Sequence, residues 1–104
     1  MSGRELGSFV IAADHPCLPG HFPGRPLVPG VVLLDEVFAL VAADPGMTGR
    51  VVGGLANAKF LNPVRADQRV MVRIDRTVPN RLGFSCSVAE AEVLTGVLLL
   101  GEPA

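Results

Sequence analysis

The sequence predicts a single α+β domain with one early strand, one apolar helix and then four strands. Three observations lead there. The segment Val31–Ala43 has the length and the Ala, Leu and Val content of a helix. The stretch from Leu55 to Leu100 instead breaks into runs whose apolar residues alternate with polar ones. A strand-like segment, residues 5–13, precedes the helix. At 104 residues without repeats, low-complexity segments or a linker, the chain reads as one domain spanning residues 1–104.

Each element has its own signals. Residues 5–13 alternate weakly as a first strand, which Asp14-His15-Pro16 breaks. Residues 14–29 form a proline-rich ordered loop, and loops of that length within a small domain are usually functional. The helix follows, opened by Pro29-Gly30, because proline at a first turn lacks only a donor that would have no partner there. Val31, Val32, Leu33, Leu34, Val37, Phe38, Leu40 and Val41 place apolar groups nearly all the way round it, so it is expected to be buried rather than amphipathic. Asp44-Pro45-Gly46 ends it. Leu55–Phe60 can alternate as a strand and Asn62-Pro63 closes it. Val70, Val72, Ile74 and Val78 alternate with Met71, Arg73, Asp75 and Thr77, with Arg76 as the one inward exception. Pro79-Asn80-Arg81 turns the chain into an alternating run on Leu82, Phe84, Cys86 and Val88, and residues 90–92 turn it again into Val93–Leu100.

The densest signal is Gly20-His21-Phe22-Pro23-Gly24-Arg25-Pro26-Leu27-Val28-Pro29-Gly30. Three prolines and three glycines in these eleven residues exclude helix and central strand. The loop therefore presents His21 on constrained backbone and leads into a helix that carries Asp35. Histidine has an ordinary pKa of about 6.5 and can act as base and then acid. A carboxyl group in an otherwise apolar helix is expected to have a raised pKa through desolvation, which favours the protonated form and suits it to donate a proton. Glu36 lies about 100° further round the helix, so the two carboxylates do not share one narrow site. Gly30 contributes a backbone N–H at the positive end of the helix dipole, where developing negative charge is stabilised.

His-Phe-Pro-Gly-x-Pro-x-x-Pro-Gly-Val over residues 21–31 resembles the signature of the β-hydroxyacyl-acyl-carrier-protein dehydratases of the FabA/FabZ type. Asp14-His15-Pro16 and Val31-Val32-Leu33-Leu34-Asp35 are most similar to the short, stand-alone ApeI-type dehydratases of aryl-polyene pathways. The match is dense over residues 14–38 and thinner over 49–70. It implies the hot-dog fold, in which an antiparallel sheet wraps a central helix. It also implies reversible dehydration of a 3-hydroxyacyl thioester to a trans-2-enoyl thioester. In the family pattern His21 removes the α-proton, Asp35 protonates the departing hydroxyl and the Gly30 amide polarises the thioester carbonyl. Many family members carry Glu where this chain has Asp35, and the shorter stem alters reach. Phe22, Gly24, Val31, Leu34, Phe38 and Phe60 fall at positions expected to bind substrate, with the acyl chain in a tunnel along the helix. Phe60-Leu61-Asn62-Pro63-Val64 resembles the family's Phe-x-x-Pro-Val stretch, although Arg65-Ala66-Asp67 replaces the Pro-Gly-Asp that commonly follows. The resemblance further implies a homodimer with two sites, each shared between chains. It implies acyl carrier protein as partner and no inorganic cofactor, since the phosphopantetheine arm belongs to the carrier.

Composition narrows the alternatives. Hydrophobic residues make up 49% of the chain, yet no apolar run approaches the roughly 18 residues of a membrane span. Met1–Glu5 leads into a strand rather than a signal sequence, so the expected location is the cytoplasm. High aliphatic content in a small chain favours oligomerisation. Two histidines and two scattered cysteines, Cys17 and Cys86, make no metal-ligand set. His15 suits a structural hydrogen bond better than catalysis. Seven of the nine basic residues lie between Arg50 and Arg81, opposed there only by Asp67 and Asp75. This bias reads as a solvated strand face or as a surface that steers an acidic partner. Nucleic acid is disfavoured, because no aromatic residues interleave with the arginines. Two rival functions stay open. One is a hot-dog thioesterase that activates water with Asp35 or Glu36 and does not need His21. The other is a non-catalytic carrier-binding partner of a larger dehydratase. A MaoC-type hydratase is disfavoured, since its Asp-x-x-x-x-His pattern needs Asp where Pro16 stands.

Overall fold

The computed structural model describes residues 3–15, 27–45, 52–78 and 80–101, and not the side chains of residues 76–78. Among them are β1 (Arg4–Val10), α1 (Gly30–Ala43), β2 (Val52–Phe60), β3 (Arg69–Val78), β4 (Arg81–Val88) and β5 (Ala91–Leu100). The sheet order is β1-β3-β4-β5-β2, and every neighbouring pair is antiparallel. The strand before the helix and the strand after it therefore occupy opposite edges. The chain crosses the whole sheet through α1, which places the helix over one face. The expected order of elements is observed, with β2 beginning three residues earlier than the alternation alone indicates. The side chain of Arg76, expected to point inward, is outside what is described.

Alternation translates directly into the core. Val70, Val72 and Ile74 from β3, Leu82, Phe84 and Cys86 from β4, and Leu94, Leu98 and Leu100 from β5 are buried on the face toward the helix. Leu33, Val37 and Val41 meet them from α1, one helical stripe at four-residue spacing. Phe84 lies opposite Gly96 across the β4–β5 pair. A Cβ on Gly96 would lie 2.7 Å from the Phe84 ring and 2.6 Å from the Asn57 carbonyl oxygen. Gly96 is thus required by how closely the ring and β2 approach β5. Cys86 is free and buried, and desolvation pushes its thiol up to about 12, so it is an inert core group.

The helix is not buried all round, which corrects the expectation from its composition. Val31 is 65% exposed, and Leu34 and Phe38 are only half-buried. The sheet covers one stripe of α1 and leaves a second apolar stripe beside the edge strand β2. At the other end Asp44 caps the helix, donating its N–H to the Val41 carbonyl at 3.2 Å. The Asp44 carboxylate also accepts two hydrogen bonds from the Arg4 guanidinium, at 3.2 and 2.9 Å, tying the helix end to the start of β1.

The β4–β5 turn lies at Ala89-Glu90, one residue before the segment the sequence suggests. Val88 pairs with Ala91, and both intervening residues have positive φ, 50° and 72°. Two left-handed residues in a two-residue hairpin are ordinarily Asn and Gly, so Ala-Glu holds this turn against its local preference. Glu90→Gly is expected to stabilise the domain by about 0.5–1 kcal/mol, read as a higher urea midpoint at unchanged slope. A lower midpoint would show that the turn carries no such strain.

Candidate active site

The site is built on the junction between the motif loop and α1. Pro29 is the N-cap, with extended backbone (φ −60°, ψ 143°), and its side chain makes no capping hydrogen bond. The Pro29 carbonyl accepts the N–H groups of Val32 and Leu33 at 3.0 and 3.4 Å. The amides of Gly30 and Val31 precede the first intrahelical bonds and lie at the positive end of the dipole.

The segment 60–65 holds this junction in place. The Val28 N–H donates to the Val64 carbonyl at 2.8 Å, and Leu27 and Arg65 form an antiparallel bridge. Val28 and Val64 are both buried. The Phe60 ring packs against Gly30 so closely that a Cβ there would lie 2.6 Å from Cζ and 2.7 Å from Cε1. Gly30 is therefore a packing requirement whatever else its amide does. Leu61 N–H donates to the Val93 carbonyl at 2.9 Å, and the Asn62 side-chain amide donates to the Glu92 carbonyl at 2.7 Å, which fixes the segment on β5. Arg65-Ala66-Asp67 makes its turn without glycine, because Asp67 adopts φ 67°, a region Asp tolerates better than most residues. The Asp67 N–H reaches the Ile11 carbonyl at 2.8 Å, and Gln68 Oε1 accepts the Arg65 N–H at 2.8 Å.

Two cavities flank the helix start. The larger, about 600 Å³, lies between the uncovered stripe of α1 and β2. Val31, Leu34, Asp35 and Phe38 line it from the helix, with Ala42 further along and Val52–Leu55 opposite. Asp35 is the one ionisable side chain in that lining among the described residues. The smaller, about 380 Å³, contains Gly30 with Leu27, Leu33, Phe60 and Pro63. Val31, Leu34 and Phe38 are thus brought together with Asp35, whereas Phe60 accompanies Gly30 in the neighbouring cavity. Asp35 is exposed in the single chain, so the desolvation expected for it is not supplied by its own helix. Glu36 is half-buried and does not line the groove.

His21, Phe22 and Gly24, together with Cys17, lie outside the described residues. His15 is half-buried, and its backbone N–H closes a turn onto the Ala12 carbonyl at 3.0 Å. Lys59, Arg69, Arg73 and Arg81 fall on the sheet face away from the helix, the register that a solvated strand face requires. Ala42, Val52, Gly53, Gly54 and Leu55 escape the sequence reading as groove residues. Their one signal is the pair of adjacent glycines in a strand-like run.

A single helix crossing an antiparallel sheet from edge to edge, with its N-terminus and a carboxylate beside an apolar groove, is the architecture of a hot-dog fold. The family described as ApeI dehydratase, ApeI-like, matches residues 4–97. The 3-hydroxyacyl-[acyl-carrier-protein] dehydratase FabZ of Chloroflexus aggregans is 33% identical over 98 residues, covering 86% of this chain and 66% of that protein. FabZ of Geotalea uraniireducens is 31% identical over 103 residues, covering 91% of this chain and 70% of that protein. The chain thus spans about two thirds of the length of these relatives. A crystal structure of an uncharacterized protein from Erwinia carotovora subsp. atroseptica superposes with TM-score 0.75 at 25% identity, covering 92% of this chain and 80% of that one. The dehydratase heterocomplex ApeI:P from Xenorhabdus doucetiae shares the fold, with TM-score 0.71 at 21% identity over 91% of this chain and 84% of that one. The chain belongs to the ApeI-like dehydratase family.

The contact between Phe60 and Gly30 yields a direct test. Gly30→Ala is expected to destabilise the domain by about 1–3 kcal/mol, the usual range for overpacking a tight site. Combining it with Phe60→Leu should recover part of that loss in a double-mutant cycle on denaturant midpoints. Strict additivity of the two changes would show that the ring and the glycine do not contact one another.

Proposed function

We propose that this protein catalyses the reversible dehydration of 3-hydroxyacyl-acyl-carrier-protein thioesters to trans-2-enoyl thioesters. His21 takes the proton from the α-carbon as the C–O bond at C3 breaks. Asp35 gives its proton to the departing hydroxyl, which leaves as water. The Gly30 amide hydrogen-bonds the thioester carbonyl and stabilises the enolate-like charge that develops there. Asp35 as the one ionisable group among the described residues that line a large apolar groove, close to a helix N-terminus, is the observation that carries this reading. Family membership supports the same chemistry.

The reading includes a homodimer, with His21 of one chain facing Asp35 of the other. Two features support it. Asp35 and its groove lie open on the side of β2, and that edge strand leaves Leu55 and Phe60 exposed, at 38% and 52%. A second chain there would cover both the groove and that edge. The partner is an acyl carrier protein in the cytoplasm, an acidic protein that the basic bias of residues 50–81 would steer. No helix among the described residues is long and apolar enough to cross a membrane.

Turnover of a 3-hydroxyacyl-carrier-protein thioester tests the proposal, with enoyl product and free thiol followed together. Wild type should form enoyl product, and His21→Ala and Asp35→Asn should each lower kcat by about 10²–10⁴-fold while remaining folded. Free thiol without enoyl product would make the protein a thioesterase. Carrier binding without turnover of either kind would make it an interaction module.

A further inference from the structure

The Gly30 amide can stabilise developing charge only if it points at the thioester carbonyl. Its N-cap residue, Pro29, makes no side-chain hydrogen bond that would aim it. What aims it lies in the segment after β2. The Phe60 ring closes over Gly30 from the side where a Cβ would stand, and the Val64 carbonyl accepts the Val28 N–H at 2.8 Å. Residues 60–64 thus hold the backbone at two points, one on either side of Pro29. The direction of the amide follows the placement of that segment.

The segment is in turn anchored on a bulge in β5. Cys86 lies opposite Leu94 and Ser87 opposite Glu92, so Val93 is the extra residue of a β-bulge. Val93 and Leu94 are accordingly both buried, which unbroken alternation does not allow. At this bulge two carbonyls meet residues 61–62. The Val93 carbonyl accepts the Leu61 N–H at 2.9 Å and the Asn62 N–H at 3.5 Å, and the Glu92 carbonyl accepts the Asn62 side-chain amide at 2.7 Å. The side-chain bond is the shortest of the three. Asn62 is exposed and borders the smaller cavity with Gly30 and Phe60. Water would satisfy its amide there, so the effect of the bond is to hold the segment. Pro63 follows, and a residue before proline is confined to extended backbone. Fixing Asn62 therefore fixes the direction in which the chain leaves toward Val64.

We infer that Asn62 is a positioning residue for the dehydration. Through its bond to the Glu92 carbonyl it holds Phe60 and Val64, and through them it holds the Gly30 amide toward the enolate-like oxygen. The inference rests on the dehydratase reading. It also gives the Phe60 ring the task of holding the helix start, distinct from the substrate contact that its motif position implies. A misplacement of about 1 Å costs on the order of 100-fold in rate. Loosening an exposed anchor is therefore legible in turnover even where stability barely changes.

Two measurements on Asn62→Ala and Asn62→Asp test this, with Ser8→Ala as control. Aspartate keeps the shape of Asn62 but, when ionised, cannot donate to the Glu92 carbonyl. Ser8→Ala removes an exposed hydrogen bond of similar length, 2.8 Å from Arg69, at the opposite edge of the sheet. The first measurement is the infrared difference spectrum of bound butyryl-pantetheine, isotopically labelled at the thioester carbonyl, a ligand with no 3-hydroxyl to lose. Wild type and Ser8→Ala should lower the carbonyl stretch below its position in water, and both Asn62 variants should return it toward that position. The second is turnover of a 3-hydroxyacyl-carrier-protein thioester. Both Asn62 variants should lower kcat by about 10–100-fold while KM changes by less than about twofold, and Ser8→Ala should keep wild-type values. An unaltered band in both Asn62 variants overturns the inference, whatever their turnover. So does a wild-type band that stays in place on binding, and so does a loss in Ser8→Ala equal to theirs, which would mark general loosening. Absence of enoyl product from wild type, with the band still responding to Asn62, refutes the dehydratase reading itself, a distinct outcome.

Discussion

The clasp between the motif loop's exit and the segment after β2 is the constraint on which the site depends. Without the Val28–Val64 hydrogen bond and the seating of Gly30 on the Phe60 ring, nothing local would fix where α1 begins. Pro29 gives extended backbone but no side-chain cap, so the helix start is set by tertiary contact rather than by a capping residue. Once that start is fixed, the 3.6-residue period places Leu33, Val37 and Val41 on the sheet and turns Val31, Leu34, Asp35 and Phe38 toward the β2 edge. One backbone position thus determines the core stripe, the amide at the helix end and the carboxylate together.

This division of the helix explains its composition. A helix apolar on nearly every side would be costly in a lone small domain if one side met water. Here one stripe packs the sheet, and the other borders a groove that a substrate tail and a second chain would cover. The exposure of Asp35 in a single chain fits the same picture. In the proposed dimer it would be desolvated by a partner and by substrate, the setting in which a carboxyl group serves as an acid.

Much of the fold was legible in the residues because alternation and helical composition report directly on burial in a sheet wrapped around a helix. Val70–Ile74 and Leu82–Cys86 face the core as their alternation indicates, and Asp44 ends the helix. What stayed hidden depends on pairs distant in sequence or on structure overriding local preference. Ala89-Glu90 carries no turn signal, and the register of β4 on β5 imposes one. Apolar residues around α1 reveal that water is excluded, but not whether the sheet, a ligand or a second chain excludes it. The motif spacing singled out His21, Gly30 and Asp35. That Phe60 seats on Gly30, thirty positions away, and that Gly53 and Gly54 line the groove across from α1, follow only from the folded backbone.

The claim that each site is shared between two chains is tested most directly by complementation. Differently tagged His21→Ala and Asp35→Asn chains, each inactive alone, are co-expressed, purified and assayed for enoyl product. In a two-fold dimer formed at random, half of the assemblies are mixed, and each mixed dimer holds one intact His21–Asp35 pair. Activity should therefore return to roughly a quarter of the wild-type value. Mixed assemblies that remain as inactive as either variant alone would contradict the shared site and place both groups within one chain.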